Sequence, residues 1–304
     1  MPAIRGRVGY DQPHYAWSTI GERPAFQWPH GASLALAVIV DLEYFEPAPP
    51  AGSVTSRDLQ GGLGARPYPD YARLSHREYG HRVGIFRVLD VLARHGIPPM
   101  VAMDAMTAEE YPYLVEHCRE RCAEIVAHGI SVNRIISNAM SEADERAYVT
   151  DTLDRLEKAT GARPAGWFGP EYGESERTPR LLAEDGVRYV CDWPNDEQPY
   201  RMTVPTGELY ALPMSVELDD AYALSLRGCT LDVYERMLLE FAARMRQDGG
   251  ASGRLMLLNL HPWLIGQPFR IGLLDRALGT IARQPKTWLA TGSQIVKAFA
   301  RAER

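Results

Sequence analysis

Two carboxylates, Asp41 and Glu43, stand two residues apart at the end of an apolar run over 33–40, and two histidines, His128 and His261, each follow an apolar run, over 124–127 and 254–260. A two-residue period in extended geometry turns both acids to the same side. Carboxylates and imidazoles move protons, activate water and bind metals, so four such groups at the ends of core segments suit general acid–base or metal-assisted chemistry. The competing reading, that Asp41 and Glu43 cap a helix or loop, leaves the cost of desolvating two acids unexplained. His128 lies in Ala-His-Gly and His261 in Leu-His-Pro, each before a conformationally special residue. The other histidines fall in loop or helix patterns and read as solvated or structural, with His76 and His81 beside a long Pro- and Gly-rich connection.

Groups 220 residues apart can meet only if the fold gathers strand ends. Eight short apolar runs do end on polar or turn-forming residues: 33–40, 100–103, 124–127, 165–168, 188–191, 209–214, 254–260 and 288–290. Amphipathic helical patterns separate most of them, over 82–94, 141–160, 179–185, 231–247, 274–283 and 294–302. This alternation predicts an α/β fold, a distorted, TIM-barrel-like (β/α) barrel of seven or eight parallel strands whose carboxyl ends converge on one pocket. The expected organisation is a single domain over 1–304, with 1–32 as an aromatic arm and 46–75 as a long loop or lid forming a wall of the substrate pocket.

The chain carries 33 Lys and Arg against 39 Asp and Glu, a net charge of −6, with the cations scattered. That balance argues against nucleic acid and anionic membrane as partners and for a small-molecule substrate. No run approaches the roughly 18 apolar residues of a membrane span, and the amino terminus lacks a secretory signal pattern, so a cytoplasmic protein is expected. Cys118, Cys122, Cys191 and Cys229 show no CxxC spacing, so no disulfide is assigned, and Cys118 and Cys122, four apart in a helical pattern, suggest packed thiols rather than ligands.

Several segments together resemble a known family: Glu124-Ile-Val-Ala-His128-Gly129, Gly166-Trp-Phe-Gly-Pro170, Tyr189-Val-Cys-Asp192-Trp193-Pro-Asn195, and Leu260-His261-Pro-Trp-Leu-Ile-Gly266-Gln267-Pro268. Ser75-His-Arg-Glu-Tyr-Gly80 and Glu217-Leu-Asp219-Asp220 extend the match. In this order they are similar to the polysaccharide deacetylase family, carbohydrate esterase family four, and to its allantoinase-type, cyclic imide hydrolase-like branch. The resemblance implies a distorted barrel of seven or eight strands, often assembled as a homotetramer. It places Asp41 where the family has its general base, Glu43 where it has a metal-binding Asp, His128 at the first metal histidine and His261 at the general-acid histidine.

Two departures stand out. The second metal histidine would lie four positions after His128, where the chain has Val132; Asn133 beside it is a poor zinc ligand. Gly169 occupies the place of an arginine that positions the base. Zinc, if held, would rest on Glu43 and His128 with help from a third group such as Asp104, fewer than the three protein ligands usual at a catalytic site. The expected activity is therefore metal-independent hydrolysis of a carbon–nitrogen bond in a small cyclic imide or ureide, without a cofactor. Asp41 or Glu43 would activate water, His128 and backbone donors near Gly129 would hold the oxyanion, and His261 would protonate the leaving nitrogen. Ser131, Tyr172, Trp193, Trp263 and Glu217 complete the expected substrate pocket, with Val132 packed beside the substrate. The alternatives are a zinc-dependent N-deacetylase of an acetylated sugar and a catalytically silent binding protein.

Overall fold

The computed structural model describes residues 12–51, 53 and 67–303. Its sheet is built around β1 (Leu34–Leu42), a run of nine residues that are all buried. Burial on both faces is what a central strand of a parallel sheet demands, and it explains the unbroken apolar run. The remaining strands are β2 (Pro99–Met103), β3 (Glu124–Ala127), β4 (Gly166–Trp167), β5 (Tyr189–Val190), β6 (Tyr200–Arg201), β7 (Tyr210–Ala211), β8 (Arg254–Leu260) and β9 (Thr287–Leu289). The order is β6-β7-β5-β4-β3-β2-β1-β8, and β9 pairs with β1. All pairs are parallel except β6 with β7.

The eight expected apolar runs all contribute strands, but several strands shrink to two residues, and the pair at Tyr200–Arg201 is a ninth strand too short to leave a sequence signal. The sheet curls into a distorted barrel. Among the described residues no ladder joins β7 to β8; single backbone bonds cross that seam, Ser215 N to Leu257 O at 3.0 Å and Leu255 N to Glu197 O at 2.8 Å.

Strand register sets the height of the functional residues. Val40 lies opposite Leu260, so Asp41 and His261 emerge side by side from β1 and β8. Leu42 lies opposite Met103 and Met103 opposite Ala127, which brings Glu43, Asp104 and His128 to one level on the next rung.

Two expectations change. The connection expected over 46–75 ends early: a helix begins at Tyr71, where the Asp70 side chain accepts from Arg73 N at 3.2 Å. That helix continues through a π-helical turn, Gly80–Gly84, into Ile85–Arg94. The extra residue in the turn breaks the 3.6-residue stripe, which is why periodicity showed only the second half, from 82 onward. Residues 52 and 54–66 of the connection, and 1–11 of the arm, lie outside the described residues. The described part of the arm packs across the barrel: Trp28 Nε1 donates to Arg254 O at 2.7 Å, and the Tyr15 ring meets Trp193 and Tyr200.

The π-helical turn presses directly on the loop after β8. A Cβ on Gly84 would lie 2.0 Å from Pro262 O, and one on Gly266 would lie 2.6 Å from Gly84 Cα. Only backbone fits between them, so this contact fixes the residue after His261. Gly84→Ala is expected to cost about 1–3 kcal/mol or more by overpacking, read by chemical denaturation, and to lower turnover more than that loss of stability accounts for. A variant of wild-type stability would show that the contact relaxes freely.

Candidate active site

His261 occupies the first position after β8 and is fixed from behind by Asp220. Asp220 Oδ1 accepts from the His261 backbone N at 2.9 Å and contacts its Nδ1 at 2.7 Å. With Nδ1 as donor to that carboxylate, Nε2 faces forward and reaches Asp41 Oδ2 at 3.2 Å. Asn259, two residues earlier on β8 and so on the same side of the strand, donates from Nδ2 to Asp41 Oδ2 at 2.8 Å and to Asp219 Oδ2 at 3.0 Å. Burial alone would disfavour charge on all these groups. It raises Asp41 to about 7, against the opposing pull of His261, His128 and the Asn259 hydrogen bond. For His261 burial works downward, but Asp219, Asp220 and Asp41 together lift its pKa well above the ordinary range, so the ring is held as imidazolium.

His128 and Glu43 form the second half. His128 Nδ1 lies 2.5 Å from the carbonyl oxygen of Phe168, to which it must donate, and its Nε2 faces Glu43 Oε1 at 3.7 Å. Burial opposes charge on His128, yet the carboxylate of Glu43 facing it, with Asp41 and Asp104, raises it to about 9. Glu43 is lowered overall: burial pushes it up, and His128, His261 and Arg77 more than offset this. Arg77, buried on the helix from Tyr71, lies with its guanidinium carbon 3.3 Å from the ring centre of Trp263.

The donor set fits a divalent cation. Asp41, Glu43 and His128 each offer a ligand atom within 4.8 Å of one another. Asp41 Oδ1, Glu43 Oε2 and His128 Nε2 are buried without a hydrogen-bond partner among the described residues. Asp104, expected as a third ligand, is committed elsewhere: Oδ1 accepts from Thr107 N at 2.6 Å as a helix cap and Oδ2 accepts from Tyr44 N. A third protein ligand would therefore be Asp41 itself.

These groups open on a cavity of about 260 Å³, lined also by Phe168, Glu171, Tyr172, Asp219, Tyr222 and Leu226. Of the expected pocket residues, Tyr172 lines it, with its hydroxyl donating to Asp219 Oδ2 at 3.3 Å. The others do not. Ser131 is turned away, its Oγ donating at 2.5 Å to Glu46, which also pairs with Arg134. Trp193 packs against His14 and Tyr15 of the arm. Trp263 stacks on Arg77 behind His261, at 6.0 Å from its ring. Glu217 sits on a 3-10 turn, Val216–Leu218, that swings it outward to Arg227, while its neighbours Asp219 and Asp220 turn inward. Val132 is buried off the cavity wall, and Gly129 is required by packing, since a Cβ there would lie 2.2 Å from Tyr148 Oη.

Sequence reasoning gave no site role to Asn259, Asp219, Asp220, Arg77 and Glu171, although Arg77, Asp219 and Asp220 lie in motifs that carry the resemblance. Asn259 was legible as the residue two before His261, on the same strand face. Gly169 proves to be a closed position: its N–H donates to Asp192 Oδ1 at 2.8 Å, and a Cβ would lie 2.7 Å from Gly173 O, so no arginine side chain could leave it. The turn that follows, Pro170–Tyr172, holds Glu171 at φ 55° and Tyr172 at φ 57°, two successive left-handed residues that both carry a Cβ.

Comparison with known proteins agrees with this fold. Residues 78–190 match the family model described as polysaccharide deacetylase. A Schizosaccharomyces pombe protein named "Putative polysaccharide deacetylase" is 22% identical over 90% of this chain and 92% of its own length. The crystal structure of PuuE allantoinase superposes with a TM-score of 0.82 at 24% identity, covering 99% of this chain and 98% of the other. A structure from Pseudomonas aeruginosa PAO1 described as a "probable Polysaccharide deacetylase" gives the same TM-score and identity over 98% of both chains. At that identity the two structures establish the shared barrel. Among the described residues no helix is long and apolar enough to cross a membrane. With the family match lying across the segment that carries His128 and the barrel shared end to end, the chain is similar to the polysaccharide deacetylase family, over residues 78–190 in sequence and over the whole barrel in fold.

Proposed function

We propose that this protein opens a small cyclic ureide or imide by amide hydrolysis, using its own side chains as acid and base. The observation that carries the reading is the contact of Asp41 with His261, 3.2 Å apart at the floor of a cavity of about 260 Å³. That volume accommodates a single small ring, near the lower end of the range for ligand pockets. The likeness in fold to PuuE allantoinase supports the same substrate class.

In this reaction water lies against Asp41, which takes a proton as the water oxygen attacks the ring carbonyl carbon. The His128 imidazolium faces the developing oxyanion, with its orientation set by the Phe168 carbonyl. His261 Nε2 then delivers a proton to the ring nitrogen as the carbon–nitrogen bond breaks, leaving a carboxylic acid and a ureido nitrogen from a ureide or a carboxamide nitrogen from an imide. Asp220 keeps His261 in the required tautomer throughout, and Asn259 keeps Asp41 from rotating. Asp41 as base and Glu43 as partner of His128 divide the two acids by environment, since only Asp41 is raised while Glu43 is held anionic.

A second reading is favoured by the three unpartnered ligand atoms: Asp41, Glu43 and His128 would hold zinc, and the bound ion would polarise the scissile carbonyl of an N-acetyl group. Asp41 would then be a ligand and no longer the base, and Val132 supplies no second imidazole. Chelation decides between the two. Hydrolysis of hydantoin or succinimide is expected to survive exhaustive EDTA treatment, and any zinc affinity gained by Val132→His to be chelator-sensitive. Loss of wild-type activity in EDTA with recovery on zinc addition would establish the metal reading instead.

Two further outcomes test the acid–base assignment. His261→Ala should lower kcat by about 100-fold or more while folding is retained, because a positioned acid contributes about 10² to 10⁴; a fully active variant would remove His261 as the acid. The base must be ionised to work, so kcat/KM should rise with pH through about 7, where Asp41 titrates. Asn259→Ala withdraws a hydrogen bond that favours the carboxylate, and should move that limb to higher pH; a limb unmoved near pH 4 would assign the base elsewhere.

A further inference from the structure

The peptide group between Phe168 and Gly169 is held at both ends. Its carbonyl oxygen lies 2.5 Å from His128 Nδ1, and its N–H donates to Asp192 Oδ1 at 2.8 Å. Sheet register arranges this: Trp167 lies opposite Val190, so Gly169 and Asp192, two residues further in each chain, leave the sheet side by side. A peptide group is planar and rigid, so whatever fixes the N–H also fixes the carbonyl. Hydrogen bonds aligned through one group also polarise each other. The direction of the His128 ring therefore depends on Asp192, which lies behind the residues that line the cavity.

Asp192 in turn faces Glu174, just past the Pro170–Tyr172 turn. Glu174 Oε1 and Oε2 and Asp192 Oδ2 are buried, and among the described residues no N–H or O–H group makes a hydrogen bond to them. Two carboxylates facing each other in a buried site cannot both stay ionised. One proton between them makes Glu174 a donor to Asp192 and removes a charge at the same time. The Trp193 indole beside Glu174 favours its anion, and His14 and Tyr15 of the arm pack on that indole. An N–H there suits a carboxyl group better than a cation. Burial, with the charge of Asp192, raises Glu174 well above the ordinary carboxyl range. Burial raises Asp192 to about 7 against the pull of Glu174, the Gly169 N–H and His128. The other ionisable groups that face the pair are Glu145, itself tied to Arg177, and Tyr172, Cys191 and Tyr200, which burial and these acids push up.

We propose that Glu174 is a positioning residue for His128: as the acid of a one-proton pair it holds Asp192 against the Gly169 N–H, and the Phe168–Gly169 peptide carries that hold to His128 Nδ1. Nε2 of His128 faces Glu43 and the cavity while Nδ1 is held by the Phe168 carbonyl. Without Glu174, Asp192 takes up the proton itself or stands as a lone buried charge, and in either state its grip on the peptide loosens. The inference goes beyond the ring-opening reading and rests on it for the task of His128 in turnover.

Glu174→Gln keeps the shape and an N–H donor toward Asp192, whereas Glu174→Leu keeps bulk and removes the donor. With hydantoin, Glu174→Leu should lower kcat by about 10-fold or more with KM within about threefold of wild type, the scale of losing a group that orients an active-site histidine. Glu174→Gln should recover most of that loss. The second readout is the hydrogen-bonded Nδ1 proton of His128 in NMR of isotope-labelled histidine, assigned by its absence in His128→Gln. It should be present in wild type and Glu174→Gln, and shifted upfield or broadened in Glu174→Leu. An unchanged signal in Glu174→Leu, or Glu174→Gln as damaging as Glu174→Leu, overturns the proposal. A shifted signal with kcat unmoved, or no turnover by wild type, counts against the ring-opening reading, and the His128 signal still decides this inference. Should Glu174→Leu fail to fold, infrared spectra of wild type and Glu174→Gln at neutral pH decide it. Wild type should show a protonated-carboxyl C=O band that Glu174→Gln lacks; identical carboxyl bands, as a cation between two carboxylates would give, overturn the one-proton pair.

Discussion

Buried charge of both signs, packed at the ends of neighbouring parallel strands, is the constraint on which the rest of this site depends. Asp41, Glu43, Asp220 and the two imidazoles are nearly inaccessible to water, and none could stay ionised there alone. Each is kept in a working state by the others: Asp220 holds His261 charged, His128 holds Glu43 anionic, and Asp41 is left between states at about 7. Such a set is interdependent, so removal of one member changes the charge state that the others hold. The strand register supplies the geometry, because a shift of one residue in β1 against β8 would turn Asp41 away from His261.

The helical side of the barrel contributes through closeness rather than chemistry. The π-helical turn at Gly80–Gly84 brings backbone against the Pro262 turn, and the helix leading into it carries Arg77 beneath Trp263. A second π-helical turn, Ala221–Leu226, brings Tyr222 and Leu226 to the rim of the cavity. Both turns depart from regular helix where the active site needs a contact that regular spacing would miss, a common association of such bulges.

The positions of Asp41, Glu43, His128 and His261 were legible because each ends a long or well-bounded apolar run, and the barrel because those runs alternate with helical stripes. The pocket walls were not. Ser131, Trp193 and Glu217 were read from residue type and local motif, yet Ser131 serves Glu46, Trp193 serves the arm and Glu217 pairs with Arg227. Side-chain direction in turns depends on backbone angles that residue type specifies weakly; Glu171 and Tyr172 in left-handed geometry carry no compositional sign at all. Asn259 is the exception, since the two-residue period of β8 places it beside His261 without further information.

The seam between β7 and β8 separates two jobs that a closed barrel would combine. Ladder hydrogen bonds hold β8, β1, β2 and β3 in register, so a length change there displaces Asp41, His128 and His261 relative to one another. Across the seam the backbone ties among the described residues are the isolated ones from Ser215 and Leu255, and the segment that follows Ser215, through Tyr222 and Leu226, forms the cavity rim. Asp219 and Asp220 lie in that stretch and anchor Asn259 and His261, so changes beyond Asp220, at Tyr222 and Leu226, can reshape the entrance while Asp41, His128 and His261 keep their relative positions. The seam thus acts as a modular edge, where new ligand shapes can be explored at small cost to the chemistry beneath.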